Sequence, residues 1–109
     1  MAPDFGLGKV YVIRNTENAK CYVGSTVRTL AQRMVQHRSV ALKSNLNLPL
    51  YVAMREIGIS KFYVELLEDA PCERREQLLK AEGIKIRELN TLVPNGYNKK
   101  SSMERRTAT

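Results

Sequence analysis

Residues 9–24 read KVYVIRNTENAKCYVG, and this stretch decides the fold. Residues 9–14 are β-branched and aromatic, which favours a β-strand. Turn-forming residues follow, and residues 20–24 then predict a second strand that returns beside the first. A hairpin of this length brings Tyr11 and Tyr22 within reach of each other across neighbouring strands, although the loop is too long to fix the register.

Beyond the hairpin, the pattern changes to that of helices. An apolar stripe at helical spacing predicts a first helix over residues 29–42, with Thr29 as its N-cap. A polar loop separates it from a second helix over residues 48–57. Pro49 is typical of a helix start, and Gly58 is typical of a helix end.

The second half of the chain supplies one more strand and one more helix. Residues 62–67 (FYVELL) predict a third strand, and residues 73–90 combine strong helix formers with an apolar helical pattern. A turn over residues 93–98 closes the domain. The order β-β-α-α-β-α indicates an α/β fold of the α+β type, a small, mainly antiparallel three-stranded sheet flanked by helices. We expect one domain, residues 1–98, and a basic, flexible tail, residues 99–109.

Charge and composition limit the classes of function. The 109 residues include 18 Lys and Arg against 11 Asp and Glu, a formal net charge of +7. This excess favours a polyanionic partner, nucleic acid before a membrane, although a solubilising surface also explains it. No apolar run reaches the roughly 18 residues of a bilayer span, and the N-terminus lacks a signal-peptide pattern. We therefore expect a soluble, intracellular protein of the cytoplasm, nucleoid or nucleus.

Zinc and disulfide chemistry are not favoured by the cysteine content. Cys21 and Cys72 are the only cysteines, and His37 is the only histidine. Two thiols in different elements make neither a disulfide framework nor, with one histidine, a set of zinc ligands. We expect free thiols in a reducing compartment.

The residues whose side chains can take part in catalysis form a set that spans nearly the whole chain. The set comprises KVY (9–11), YVG (22–24), Arg33 and His37 four apart in RMVQH, Glu82 in AEGIKIREL, and Asn98 at the end of NGYN. In this order the set resembles the GIY-YIG nuclease family, whose two namesake tripeptides correspond to KVY and YVG. The chain departs from the family at Lys9, where the family has Gly.

The resemblance implies a metal-dependent DNA endonuclease that leaves 5′-phosphate and 3′-hydroxyl ends. In such a site Tyr11 assists attack by water, Arg33 stabilises the phosphate, and Glu82 holds a divalent metal, Mg²⁺ or Mn²⁺. The chemistry favours the same residue types, because hard cations prefer oxygen ligands and a guanidinium fork matches phosphate oxygens. With one protein carboxylate, metal binding without DNA should be weak.

The sequence alone does not identify the residue that acts as general base. Tyr11, Tyr22 and His37 are all candidates, since a free tyrosine has a pKa near 10 and needs help to lose its proton. Tyr22 alternatively orients the water. Some relatives carry another histidine in the loop that here reads KSNLN (43–47), so this departure leaves the proton transfer undetermined. Asn98 is expected to brace the site, although turn chemistry also explains it.

A further group of residues is expected to bind DNA. Gly24 allows close backbone approach, and hydroxyl and backbone N–H groups at a helix entrance can donate to phosphate. Basic residues on the first helix can extend a DNA track, although solvated helix charges need no such role. The expected substrate-binding residues are Gly24, Ser25, Thr26, Arg28, Arg38 and Lys43.

Two other functions compete with nuclease activity. A catalytically decayed nucleic-acid-binding module would explain Lys9 and the missing second histidine. An RNA-binding domain would fit the charge, but the interleaved aromatics of a stacking sheet are lacking. A domain this small contacts few base edges, so we expect low selectivity unless a specificity domain or protein partner assists. No motif indicates the cut site, the biological role or the oligomeric state.

Overall fold

The computed structural model describes residues 3–99 and contains the predicted order of strands and helices. The strands are β1 (Lys9–Asn15), β2 (Tyr22–Thr26) and β3 (Phe62–Asp69), and the helices are α1 (Leu30–Lys43), α2 (Pro49–Ile57) and α3 (Arg75–Leu89). Two 3₁₀ turns, Phe5–Leu7 and Ile59–Lys61, add to the prediction. The predicted fold class is confirmed. Of the predicted tail, only Lys99 is described, and residues 100–109 lie outside the described residues.

The sheet has the order β2-β1-β3, and both neighbouring pairs are antiparallel. β1 lies in the centre because its residues 10–13 are apolar and fully buried, as expected of a strand covered on both faces. Tyr11 pairs with Gly24, and Ile13 pairs with Tyr22. Tyr11 and Tyr22 are therefore diagonal neighbours on one face, and β2 is an edge strand.

The prediction placed the start of the second strand two residues too early. The Asn15 side chain organises the connection, because its Oδ1 accepts hydrogen bonds from the backbone N–H groups of Glu17 and Asn18 at 2.8 and 2.9 Å. This local structure extends the loop, so pairing resumes only at Tyr22.

The helix limits follow the predicted capping residues. Thr29 caps α1 and forms a capping box with Gln32, and Pro49 stands in the first turn of α2. α3 begins later than predicted, at Arg75, because the Gln77 side chain accepts from the N–H groups that precede the helix. Asn90 ends α3 in the left-handed conformation, with φ of 54°.

Helices cover both faces of the sheet, so the domain has three layers and two cores. On one face, α1 and α2 pack their apolar residues against Tyr11 and Ile13. On the other face, Ile86 of α3 packs against Val10 and Val12. No helix within residues 3–99 is long and apolar enough to cross a membrane.

Candidate active site

The side chain of Tyr11 crosses from the central strand over the edge strand at Gly24. A Cβ atom built on Gly24 would lie 2.6 Å from Cζ of Tyr11, which is closer than van der Waals contact permits. Because residue 24 has no side chain, the ring lies across β2 and its hydroxyl reaches the β2 edge. Gly24 thus has a packing role, while its predicted role in substrate approach stays a prediction.

Two residues of α1 meet the Tyr11 hydroxyl. Arg33 Nε donates to Tyr11 Oη at 3.2 Å, and His37 Nε2 lies 2.7 Å from the same oxygen. Arg33 and His37 are four residues apart, so they share one face of the helix. His37 is 1% exposed and is held on its other side by Tyr51 Oη, 3.0 Å from Nδ1.

Tyr51 of α2 was not singled out from the sequence. It lies among the buried apolar residues of its helix, and no local pattern separates a packing tyrosine from one that faces His37. Its ring and that of Tyr22 surround the imidazole, with centroid distances of 5.8 and 5.7 Å. The single histidine is therefore enclosed by aromatic side chains.

Burial keeps the groups of this network neutral. Desolvation raises the pKa of Tyr11 to about 12, partly offset by the guanidinium of Arg33. Desolvation also lowers the pKa of His37 to about 3, with Arg33 acting in the same direction. Burial raises the pKa of Tyr22 as well. A neutral imidazole has one N–H and one lone pair, so one of its two tyrosine partners donates and the other accepts.

Glu82 approaches the site from the opposite face of the sheet. Alternation along β2 directs Ser25 toward α3, and Ser25 Oγ donates to Glu82 Oε1 at 2.7 Å. Glu82 is 7% exposed. Ser25 orients the carboxylate in the protein itself, and its predicted contact with substrate stays a prediction.

The two faces meet in one cleft at the β2 edge, with a volume of about 340 Å³. Its lining includes four predicted catalytic residues, and its outer wall is basic. The lining includes Tyr11, Tyr22, Ser25, Thr26, Val27, Arg28, Arg33, Gln36, Arg75 and Glu82. No pattern in the sequence singled out Arg75 or Gln36. The Oε1 atom of Gln36 accepts from Arg33 Nη1 at 3.1 Å.

Asn98 binds the outer side of β2. Its Oδ1 accepts from the Val23 N–H and its Nδ2 donates to the Val23 carbonyl, both at 2.9 Å. Thr91 Oγ1 also donates to Oδ1, at 2.8 Å. The amide side chain thus replaces a neighbouring strand at this edge and holds β2, with Tyr22 and Gly24, in place.

Known proteins resemble this chain over the region that contains the site. The family model of the GIY-YIG catalytic domain matches residues 7–98. The chain belongs to the GIY-YIG family. The structure of the catalytic domain of the homing endonuclease I-TevI superposes with a TM-score of 0.73 at 30% identity, covering 85% of this chain and 98% of that one. A glutamate-to-alanine mutant of the same I-TevI domain gives 0.74 at 29% identity, covering 86% and 94%.

A viral protein is a further relative of this GIY-YIG chain. The MSV199 domain-containing protein 146R of Invertebrate iridescent virus 6 is 36% identical over 62 residues, which is 57% of this chain and 25% of that protein. The chain thus spans about a quarter of the relative's length. The family match shows that the chain contains a GIY-YIG catalytic domain, and its fold is that of the catalytic domain of the endonuclease I-TevI.

Lys9, the departure from the GIY-YIG tripeptide, has a structural role in this domain. Its Nζ donates to the carbonyl groups of Leu7 and Arg28 at 2.8 and 3.0 Å. Thr26 Oγ1 accepts from the Arg28 N–H at 3.0 Å in the same loop. Lys9 and Thr26 therefore shape the loop between β2 and α1, which carries Arg28 into the cleft.

Two of the predicted DNA-binding residues of the GIY-YIG domain lie apart from the cleft. Arg38 Nη2 lies 3.5 Å from the Phe62 carbonyl beside β3. Lys43 is exposed in the last turn of α1. The structure thus brings Ser25, Thr26 and Arg28 to the cleft, but not Arg38 or Lys43, whose contribution to DNA binding stays a prediction.

The carboxylate of Glu82 is a suitable ligand for a hard metal ion. Within residues 3–99, no three His, Cys, Asp or Glu side chains come together as a metal-binding group. A single carboxylate fits Mg²⁺, which keeps several waters and often takes remaining ligands from a substrate phosphate. Glu82 borders the cleft in which such a phosphate would lie.

Proposed function

We propose that this chain is a metal-dependent endonuclease that hydrolyses DNA phosphodiester bonds to 5′-phosphate and 3′-hydroxyl ends. The observation that carries the proposal is the convergence of Tyr11, Arg33 and Glu82 on one cleft from opposite faces of the sheet. The reaction needs a proton acceptor for water, a cation at the phosphate and an anchor for metal, and these residues supply one each. We assign this function to a nuclease domain of residues 1–98.

DNA binding would rest on the charge of the cleft wall. Arg28 and Arg75 line the cleft, and the chain carries a net charge of +7. Arg33 uses Nε for Tyr11 and Nη1 for Gln36, and its remaining N–H groups can meet phosphate oxygens as negative charge develops. Held at two points, the guanidinium is oriented before substrate arrives, which lowers the cost of ordering it.

Glu82 would hold Mg²⁺ or Mn²⁺ through its carboxylate, with Ser25 fixing one oxygen. When bound, the metal neutralises phosphate charge and makes a coordinated water more acidic. The protein contributes one carboxylate to this site, so the DNA phosphate would complete it. Metal affinity should therefore depend on DNA.

Proton transfer would begin at Tyr11, with Tyr22 orienting the water. As the water oxygen bonds to phosphorus and the P–O3′ bond breaks, the water proton passes to Tyr11 Oη, and the Tyr11 proton passes to His37 Nε2. The proton on Nδ1 passes to Tyr51 Oη, and the Tyr51 proton passes to solvent or to an oxygen of the bound substrate at the cavity that Tyr51 lines. The leaving 3′ oxygen takes a proton from solvent.

This relay leaves its two tyrosines and its histidine neutral, which agrees with burial raising the pKa of Tyr11 and lowering that of His37. A phenolate at Tyr11 would be scarce at neutral pH when the pKa of the group is about 12. The relay therefore explains how a buried tyrosine can accept a proton without first being ionised.

A decayed binding module is the alternative from another class. Lys9 argues less for decay than the sequence alone implied, because the lysine has its own contacts in the loop. Low selectivity of so small a domain favours a specificity domain or protein partner, which we include in the proposal.

The test is plasmid nicking with Mg²⁺ or Mn²⁺, with EDTA as a blank. Arg33→Ala/Glu82→Ala should abolish nicking while DNA binding survives. The matched control is Glu76→Ala/Lys80→Ala, which also removes one acidic and one basic residue, at exposed positions of α3. Nicking that is unaffected by the Arg33→Ala/Glu82→Ala change would overturn the assigned site. Salt-sensitive DNA binding without nicking under either metal would favour the binding module.

A further inference from the structure

A second cavity, of about 290 Å³, adjoins the catalytic cleft, and Tyr51 of the relay is among the residues that line it. Tyr22 and Glu82 line both spaces, so they form the partition between them. A DNA strand whose phosphate lies against Glu82 carries a further nucleotide on at least one side of that phosphate. The second cavity lies next to the cleft, behind Tyr22 and Glu82, so this neighbouring nucleotide can enter it.

The chemistry of this cavity suits a nucleoside. Leu48, Pro49 and Leu50 provide an aliphatic wall, and the ring of Tyr97 provides an aromatic one. Bases bind aromatic and apolar side chains through their faces, without regard to sequence. Lys99 borders the opening, where its cation can meet the phosphate of the next nucleotide.

The side-chain amide of Asn98, which also lines the cavity, already forms hydrogen bonds within the protein. Its amide is bound to Val23 on both sides and to Thr91. Both acceptor positions of the amide oxygen are thus filled, while Nδ2 keeps one N–H beyond its bond to Val23. With the oxygen engaged, the cavity would accept a base mainly by shape and contact area.

We propose that this cavity binds the sugar and base of the nucleotide next to the scissile phosphate, held outside the base stack. This inference rests on the proposed nuclease function. The volume of about 290 Å³ lies just below the range of roughly 300–1,000 Å³ for small-molecule sites, so the cavity has room for one nucleoside and not for a base pair. The substrate class that follows is DNA in which this nucleotide is mismatched, frayed or single-stranded, because such a base leaves the stack at least cost.

The binding experiment does not depend on cleavage. Methyl NMR spectra of the full chain are recorded without metal during titration with dAMP or dTMP, and separately with inorganic phosphate. Both nucleotides should shift the methyl resonances of Leu48 and Leu50, whereas inorganic phosphate should leave them unchanged and shift Val27, which lines the catalytic cleft. Leu48 and Leu50 resonances that stay unchanged with nucleotide, or that respond equally to inorganic phosphate, would overturn the proposal.

The cavity-filling variant is Leu48→Trp, and its matched control is Leu46→Trp. Leu48 is 42% exposed at the cavity and Leu46 is 50% exposed outside its lining, so both positions accept a larger side chain without disturbing the core. Leu48→Trp should abolish the nucleotide-induced shift at Leu50, and Leu46→Trp should preserve it. Equal retention of the shift in both variants would contradict the assignment.

The cleavage experiment tests the substrate class. The positions of the nicks are mapped first. Cleavage rates are then compared for a fully paired duplex, a duplex with one mismatch directly 5′ of the nick, and a duplex with one mismatch directly 3′ of it. The parent should cleave one mismatched duplex at least tenfold faster than the paired one, and Leu48→Trp should lose this difference. Equal rates on all duplexes in the parent would overturn the proposed preference. Nucleotide shifts in a chain that never cleaves DNA would reject the nuclease function alone, whereas cleavage without shifts would reject the cavity alone.

Discussion

The two faces of the sheet are covered by different kinds of side chains. On the face covered by α1 and α2, the core contains the hydrogen-bonded side chains of Tyr11, His37 and Tyr51. On the face covered by α3, the core is aliphatic, and Glu82 stands at its margin beside β2. The first face holds groups that can move a proton, and the second holds a carboxylate that can bind a cation.

The separation has an electrostatic consequence. A carboxylate beside an imidazole favours the protonated form and raises the pKa of the histidine. Burial and Arg33 are the causes of the low pKa of His37. The charge of Glu82 acts on Tyr11, where it adds to the rise in pKa and so also favours the neutral form. The hydrogen-bonded network therefore stays neutral, while the carboxylate lines the same cleft from the other face.

Removing the carboxylate from the α3 face should have the largest effect. Glu82→Gln keeps an oxygen for the Ser25 hydroxyl but loses the charge that would hold a metal. We expect a loss of roughly 10³-fold or more in nicking rate, with little change in the thermal midpoint. Single-turnover nicking and thermal unfolding measure both, and Glu76→Gln on the same helix is the control. A nicking rate like that of the parent would remove Glu82 from the site.

Breaking the α1 face should affect both catalysis and stability. Tyr11→Phe removes the hydroxyl that meets Arg33 and His37, so we expect a loss of roughly 10²–10⁴-fold in rate. It also leaves a buried imidazole nitrogen without its partner, which costs about 1–3 kcal/mol in the free energy of unfolding. Denaturant titration measures that cost, with the exposed Tyr63→Phe as control. Unchanged stability would contradict the hydrogen-bonded core.

The pH dependence of stability should sharpen the difference between the faces. His37 has its pKa lowered to about 3 in the folded chain, against about 6.5 when unfolded. The unfolded chain binds the proton first, so stability is present above pH 6.5 and is lost as pH falls toward 3. Between pH 7 and pH 5 the loss is about 2 kcal/mol.

The same pH series on His37→Gln supplies the control, because His37 is the only histidine. The variant should be less stable than the parent at pH 7 and nearly independent of pH between 7 and 5. If both chains lose stability equally over this interval, the imidazole is not buried in its neutral form.

The outer end of the relay should have a smaller effect than Tyr11. Tyr51→Phe keeps the ring beside His37 but removes the acceptor for the proton on Nδ1. We expect a rate loss of roughly tenfold, equivalent to about 1.4 kcal/mol, with unchanged KM for DNA. The rate in mixtures of H₂O and D₂O should show fewer transferred protons in the variant than in the parent. An identical isotope dependence would limit Tyr51 to packing.

Charge at the cleft wall should have the smallest effect. Arg28 lines the cleft, and Lys43 lies in the last turn of α1 outside it. Arg28→Ala should weaken DNA binding and reduce the slope of log K against log salt by about one, with a smaller change for Lys43→Ala. Fluorescence anisotropy over a salt series measures both slopes. A larger change for Lys43→Ala would move the DNA track toward the end of α1.

Local features of the chain were sufficient to predict most of the fold. Apolar runs and alternation indicated the strands, and capping residues such as Thr29 and Pro49 placed helix starts. The hairpin placed Tyr11 and Tyr22 within reach of each other, although its long loop left the register open, and the spacing of four placed Arg33 and His37 together. These relations depend on backbone geometry within one element or one hairpin, so a single sequence is enough to show them.

Contacts between distant elements could not be predicted in the same way. Tyr11 meets His37 across 26 residues, Ser25 meets Glu82 across 57, and Val23 meets Asn98 across 75. Family resemblance named most of these side chains, but not their partners, nor Tyr51, nor the placement of Glu82 on the opposite face. Such pairs form only when both cores pack and the sheet edge is positioned between them. The local pattern thus specifies which residues share a face, and cooperative packing of the whole domain specifies which faces meet.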